Sequence, residues 1–513
     1  MADASGTADL ITAYVGIATA AGTAIWAVSK YLADRRDARE KAGEDAERSR
    51  RQQHDEEVRA RQDRAAALIR AVGEATDPST RRWTISALSL YPEEALTLLL
   101  MSLGEASAED SASIALAVLS MGPAALPETV RTHRIARQVC ATAAPPDASE
   151  PGPAREHVDV AQATHVLEGT RGIIVNLLLQ LDEEGRAAVD LAGVDLSGAN
   201  LARARLSRIR LRKTRLDGAD LAHARLTGAV LRGAGLEGTV LTRAALPGAD
   251  LTGAAGRVQA IRADLSDAIL DQARLGGAAL DAARLAGATL RQTDLTGASL
   301  PGAVLTHATL DRATLSRVTA HHLAAGGMQV AGSDLSHADL AHARLSGSRF
   351  ERSRLVRVAG ADLRADRAVL VDTSLAGASL PRATLVSATI TRCNLGGADL
   401  SRSDLSGAAL TRCDLSGTVL SSATLAGSVL DGCHVARCDL TGATLTGATF
   451  RGCAFERELG LTGVDLTGVT FEACTFAEGL VIRAGESWTS AVLDDAAREA
   501  FGRISATAVG GGS

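Results

Sequence analysis

The chain has 513 residues, a net charge of −6 and 50 glycines, and only 2% of it is aromatic. So slight a charge over that length excludes the strong imbalance of a general nucleic-acid binder, and so few rings exclude a core built on large aromatic side chains. Seven cysteines without zinc-type spacing fit a reducing compartment and give no disulfide framework.

Residues 10–29, "LITAYVGIATAAGTAIWAVS", carry no charge. As a helix they would span about 30 Å, the thickness of a bilayer core, which predicts one transmembrane helix within an N-terminal anchor at 1–32. Tyr14, Trp26 and Tyr31 supply aromatic flanks, and Lys30, Arg35 and Arg36 follow the run. The positive-inside rule then places a single-pass protein in the cell membrane with its bulk in the cytoplasm. Gly16 and Ala20 form a small-xxx-small step through which two such helices would pack as a homo-oligomer. The competing reading is an apolar helix packed on another subunit.

Residues 33–72 are rich in balanced charge, with acid-to-base pairs four apart such as Glu47–Arg51 and Asp55–Arg59. They read as a solvated helical stalk with too few apolar a/d positions for a good coiled coil. Residues 73–143 have apolar residues at helical spacing broken by Pro92, Gly104, Pro123 and Pro127, a small α-helical domain of HEAT-like hairpins. A Pro-rich linker follows at 144–156, and a capping helical region at 157–189.

From residue 190 to 481 the pattern changes. Leucine returns every fifth position from Leu191 to Leu251, from Leu265 to Leu315, and again from Leu370 onward, with Ile390, Val435 and Phe450 as stand-ins. Five is neither a helical nor a strand period, so all these leucines point inward only if the chain turns a corner at each step. The residue two positions before the leucine is nearly always small, as Ala219, Ala224 and Ala398 are. Cys393, Cys413, Cys433 and Cys453 occupy that small position at intervals of twenty, which makes four steps to a coil. They read as core filler.

The motif A-[DN]-L-x-x in "ADLSR", "CDLSG" and "ANLAR" resembles the pentapeptide-repeat family. That resemblance implies a mainly β fold, a right-handed quadrilateral β-helix, here preceded by an α-helical N-terminal region. The order of anchor, charged helix, helical domain and solenoid resembles membrane-associated actinobacterial pentapeptide-repeat proteins. Residues 482–505 are expected to cap the far end, with Val492, Leu493, Ala496 and Ala500 facing the last coil, and 506–513 to form a linker-like tail.

Candidate sites are sparse. His322 and His342 share an outward slot one coil apart, with His337 on the preceding face, a weak metal candidate set. A basic run opens the solenoid: Arg203, Arg205, Arg208, Arg210, Arg212, Lys213 and Arg215. Residues 73–188 hold sixteen acids against eight arginines, so the helical region is expected to dock onto those coils through its acids. The repeat departs from its pattern at Gly256, at 316–332 and at 356–369. The last two, with His321, His322, Arg352, Arg354, Arg357, Arg364 and Arg367, are expected to stack as one interaction patch.

No G-x-S-x-G, P-loop, dinucleotide or H-E-x-x-H motif occurs. The sequence therefore predicts a non-enzymatic, membrane-anchored scaffold for an unidentified protein partner, without a cofactor and with nucleic acid not expected. Two alternatives stay open. Family members that mimic DNA and bind topoisomerases imply an acidic rod, whereas bases and acids nearly balance here. The histidines alone support a metal or small-molecule binder.

Overall fold

A computed structural model of the chain describes residues 30, 35–36, 41, 43, 46–142, 154–464, 466–477, 481–484 and 491–499. It divides into two compact units, Met1–Leu99 and Leu100–Ser513. In the first, helix α1 covers 46–74 and forms the expected Glu47–Arg51 ion pair at 2.6 Å. Helix α2 (Pro78–Ala87) starts where the Asp77 carboxylate accepts from the Thr80 N–H, with Pro78 at a position whose missing N–H costs nothing. Helix α3 (Pro92–Ser102) likewise starts with a proline, with Glu93 and Glu94 in its first turn. Among the described residues no single helix is long and apolar enough to cross a membrane. The apolar run 10–29 lies outside the described residues.

The second unit opens with α4 (Ala108–Ser120), α5 (Leu126–Thr142), α6 (Ala154–Gln180) and α7 (Glu183–Ala188). Helix α6 packs along α5 and also against α4. Ile114, Val118, Val130, Ile173, Ile174 and Leu177 are buried there. Helix α6 thus forms one layer with α4 and α5, and it starts at Ala154.

The solenoid follows. Four parallel ladders start at Asp190, Asp195, Asn200 and Arg205 and step twenty residues per rung, giving four sides, numbered here I to IV in that order. Side I runs Asp190, Arg210, Val230, Asp250, Ile269, Thr289 and continues through three-residue strands from Thr289–Arg291 to Thr470–Glu472. One step shows the local physics. Leu405 is buried and its N–H reaches the Thr424 carbonyl of the next coil at 2.7 Å. The Asp404 carboxylate accepts from the Ser406 N–H at 2.9 Å, an Asx turn that explains why Asp or Asn precedes the leucine. Ala408 N–H closes the corner onto Leu405 O at 3.0 Å, and Gly407 between them has φ +64. A positive φ at the third turn residue is the reason glycine recurs there.

Rungs are nineteen apart between Val240 and Gln259 and twenty again from Gln259 to Ala279. The missing residue is at Gly256, the expected slip, where φ is +135 and a Cβ would lie 2.3 Å from the Glu237 backbone nitrogen. A second irregularity is a bulge, where Glu456 pairs with Ala436 but Leu459 pairs with Cys438.

The far end differs from expectation. Strand Val481–Ala484 pairs with Glu458–Leu461, and Val492–Leu493 pairs with Thr470–Phe471, so β pairing extends past 481. A short helical turn then starts at Asp494, whose carboxylate accepts from the Ala497 N–H. Leu493 and Ala497 are buried, whereas Val492 and Ala496 are exposed. Residue 500 lies outside the described residues.

Candidate functional site

The ladders decide which sequence-predicted residues meet. His321, His322 and His342 lie at the corner between sides III and IV, where the His322 and His342 rings stack with centroids 4.8 Å apart. His337 lies one corner away, between sides II and III. Among the described residues no group of three His, Cys, Asp or Glu side chains is placed to hold a metal ion. The arginines of the expected patch separate: Arg352 at corner I/II, Arg354 on side II, Arg357 at corner II/III, Arg364 on side IV and Arg367 at corner IV/I. The five do not form one surface, because fifteen residues of this chain circle three-quarters of a coil.

The structure brings Arg364 together with residues outside that patch. A groove of about 690 Å³ is lined by His322, His342, Asp362 and Arg382 along one row and Ala324, Arg344, Arg364 and Thr384 along the other. Arg344, Asp362 and Arg382 are absent from the sequence reading. Stepping through the chain in twenties from His322 and Arg364 finds them all.

The irregular segments have a packing cause. Where the large inward residue is lost, the small position two before it becomes large: Val318 with Ala320, Leu323 with Ala325, Met328 with Val330, Val358 with Gly360, Leu363 with Ala365. All but Gly360 are buried hydrophobic groups of the core. Volume is moved within the step, the kind of core change that is tolerated best. At the second segment the compensation is incomplete. A cavity of about 30 Å³ remains, lined by apolar side chains including Leu345, Phe350, Leu355, Leu363 and Leu380.

The helical layer meets the first coil with the opposite polarity to that expected. A first coil has carbonyls that no preceding coil satisfies, and helical arginines supply the missing donors. Arg134 Nε donates to Ala192 O and Arg134 Nη2 to Asp190 O, both at 2.8 Å. Arg137 donates to Gly193 O, and Arg186 Nη1 to Arg205 O at 2.9 Å. The orphan N–H of Asp195 donates to His133 Nε2 at 2.9 Å. His133 is fully buried, and its Nδ1–H must therefore point at Thr170 Oγ1, 2.8 Å away. Burial pushes His133 down to about 4, against the pull of Asp195. Desolvation pushes the Asp195 carboxyl up, but the hydrogen bond from the Ser197 N–H and the charges of Arg171 and Arg215 hold it below the ordinary carboxylate range.

Of the basic run, Arg215 lies 3.7 Å from Asp195, and Arg208 shares a groove with Glu183 and Glu184 of α7, where helical acids do approach these coils as expected. Arg203, Arg205, Arg208, Arg210, Arg212, Lys213 and Arg215 girdle the coil rather than forming one face. No local pattern marks His133, a lone histidine in a helix.

The cysteine column is core. Cys413, Cys433 and Cys453 each donate to a carbonyl twenty-three residues back at 3.3 Å, as Thr214, Thr293 and Ser403 do elsewhere. All are free thiols. Neighbouring thiols and burial push Cys393, Cys433 and Cys474 up. Burial acts on all five and disfavours the thiolate, so the column is a stack of neutral groups. Burial likewise pushes Cys438 up to about 12.

A four-sided β-solenoid of five-residue steps, preceded and capped by a helical layer, defines the class. Eight copies of Pentapeptide repeats are matched, at 190–228, 219–254, 261–297, 283–319, 330–358, 368–407, 398–434 and 418–457, and the chain belongs to the pentapeptide-repeat family. Among solved structures it is similar to HetL, a pentapeptide repeat protein involved in heterocyst differentiation regulation from the cyanobacterium Nostoc, at 24% identity over 58% of this chain and 91% of that one, with a TM-score of 0.13. It is similar to QnrB1, a plasmid-mediated fluoroquinolone resistance protein, at 21% identity over 42% and 92%, with a TM-score of 0.18. It also matches the A-module of the Azotobacter vinelandii mannuronan C-5 epimerase AlgE4 at 10% identity over 55% and 91%, with a TM-score of 0.27. No curated protein matches.

Proposed function

We propose that the protein is a non-enzymatic interaction scaffold, a stiff rod that presents side chains at fixed intervals to a protein partner. The observation that carries this reading is the parallel pairing that continues rung by rung from Asp190 to Val492, begun on a helical layer that satisfies its first coil. Such a ladder holds every outward side chain at one coil spacing, about 4.8 Å, without a hinge. Attachment to the cell membrane through residues 10–29, with the solenoid in the cytoplasm, is part of the proposal and rests on the sequence of that run.

The topoisomerase-binding alternative requires an acidic face. Side IV instead carries Arg205, Arg225, Arg284, Arg344 and Arg364 in its ladder, which speaks for the scaffold reading.

Cross-linking of the full chain in cells, with charge reversals placed on one side at a time, tests the scaffold. Arg354→Glu alters side II and Arg284→Glu alters side IV. A partner that reads one side is lost with one change and kept with the other, and identical partner sets for both variants and the parent would defeat the reading. Fractionation tests attachment separately. The full chain is expected in the membrane pellet, and removal of residues 1–32 is expected to release it.

A further inference from the structure

The side IV row of the groove lacks the cross-coil ion pairs seen at several other rungs, as the Arg205–Arg225 pair lower in the same ladder also does. At several other places an arginine on one coil is met by an acid on the adjacent coil: Arg291 with Asp271, Arg392 with Asp372, Arg451 with Glu472. Arg344 and Arg364 instead pair with each other in the ladder, between Ala324 and Thr384. Both are exposed, and neither has an ion-pair partner among the described residues. The rung spacing holds their backbones about 4.8 Å apart. Two like charges so placed repel unless something else neutralises them.

The facing row does not neutralise them. Its one acid, Asp362, is engaged by Arg382 through two hydrogen bonds of 2.8 and 2.6 Å. The Arg382 guanidinium holds Asp362 below the ordinary carboxylate range. Next along that row is His342, with Nδ1 3.8 Å from Asp362, stacked on His322 at an interplanar angle of 8°. The groove thus holds three guanidiniums against one carboxylate, with two imidazoles along its rim. Guanidinium forks match the oxygens of phosphate in bidentate geometry, and imidazole N–H groups add donors from the opposite wall.

The size and lining narrow the ligand further. At about 690 Å³ the groove exceeds what one phosphate group fills, and its only uncharged, non-imidazole lining residues are Ala324 and Thr384. Apart from the two imidazoles, which stack on each other, no aromatic or aliphatic wall is offered to a base or an acyl chain, so the part of the ligand held here is polar.

We propose that this groove binds a ligand bearing two or more phosphate groups on a small polar core, with Arg344 and Arg364 as the anion clamp and His322 and His342 as the opposing donors. Asp362 orients Arg382 at the end of the site. This chemistry comes either from a free oligophosphate or phosphorylated metabolite, or from a phosphorylated lipid headgroup. The site stands whether or not the solenoid is a protein scaffold.

The test uses the full chain in mild detergent and titration calorimetry with pyrophosphate, with citrate as a multivalent anion of different geometry. A parallel arm uses sedimentation with vesicles of phosphatidylcholine containing a phosphoinositide bisphosphate. Three proteins are compared: the parent, R344E/R364E, and R412E/R437E, whose changes lie at other corners. Saturable pyrophosphate binding that weakens at least tenfold in R344E/R364E and persists in R412E/R437E is the expected result. If only the vesicle arm binds, with the same dependence on Arg344 and Arg364, the source is a headgroup and the site stands. The proposal is overturned if neither probe binds saturably, if citrate binds as tightly as pyrophosphate, or if both double variants lose binding alike. Thermal unfolding of R344E/R364E close to that of the parent guards against loss by misfolding, and R344Q/R364Q, which removes charge without reversing it, should weaken binding by a smaller factor.

Discussion

The coils from Cys393 to Leu430 and those from Val318 to Leu363 solve one packing problem in two ways. In the first stretch each step places a small residue and then a large one inward, as Ala408 and Leu410 or Ala423 and Leu425. In the second stretch several steps reverse that order, and the large residue arrives two positions early. Both stretches keep the ladder unbroken at twenty residues per rung. The fold therefore demands a fixed inward volume per step, with either inward position free to supply it. A break in the leucine pattern is not by itself a functional mark, and surface chemistry has to be judged from which rows share a groove.

The largest effect tests the claim that the regular stretch depends on its apolar column. Leu405→Asp buries an unpaired carboxylate and should cost several kcal/mol, seen as a large drop in the thermal midpoint. Ser421→Asp, also one residue outward of a core leucine, should leave the midpoint nearly unchanged. Ser406 is a poorer control, because its N–H and hydroxyl both serve Asp404. Equal midpoints for the Leu405 and Ser421 variants would show the inward column to be misassigned.

A swap within the reversed stretch sharpens the comparison. Leu363→Ala alone should cost about 2–4 kcal/mol by leaving a cavity, and Ala365→Leu alone about 1–3 kcal/mol by overpacking. The double variant restores the regular order and should cost clearly less than the two added together, read from a double-mutant cycle in denaturant. Strict additivity would refute compensation within the step.

A third measurement asks whether the helical layer secures the first coil through His133. The neutral ring accepts from Asp195 in the folded chain, and its pKa there is about 4 against an ordinary 6.5. Above pH 6.5 the ring is neutral in both states. Between 6.5 and about 4 the unfolded chain takes up the proton first, so stability falls as pH falls, by roughly 3 kcal/mol over the window. His133→Gln keeps an acceptor and does not titrate. The wild-type midpoint should therefore drop more than the variant's between pH 7 and pH 4, and parallel curves would assign the acid response to other groups.

The smallest effect concerns the corners. Arg402 holds a left-handed φ of 58, as Gly407 does at the next corner with φ 64. Arg402→Gly should relieve that conformation and stabilise by up to about 1 kcal/mol, whereas Gly407→Val should destabilise. A lower midpoint for Arg402→Gly would mean that its side chain contributes more than the corner strain it brings.

The sequence alone determined the five-residue step, the four corners, the cysteine column and the slip at Gly256. Each follows from relations between near neighbours that recur: an Asx turn, a positive φ and an inward leucine within a single step. It also contained the stacking of His322 on His342, since a twenty-residue interval is enough to see it. Tertiary structure alone decided the rest. His133 meets Asp195 across 62 residues because the first coil leaves a backbone N–H without a partner, and nothing local to either residue encodes that need. The same cause set the polarity of the interface, since orphan carbonyls call for arginine donors, whatever the acid count of the helices. The side IV groove, too, exists only once the coil is closed, because winding sets Arg344 beside His342 on one face while carrying Arg352, Arg354 and Arg357 around the others.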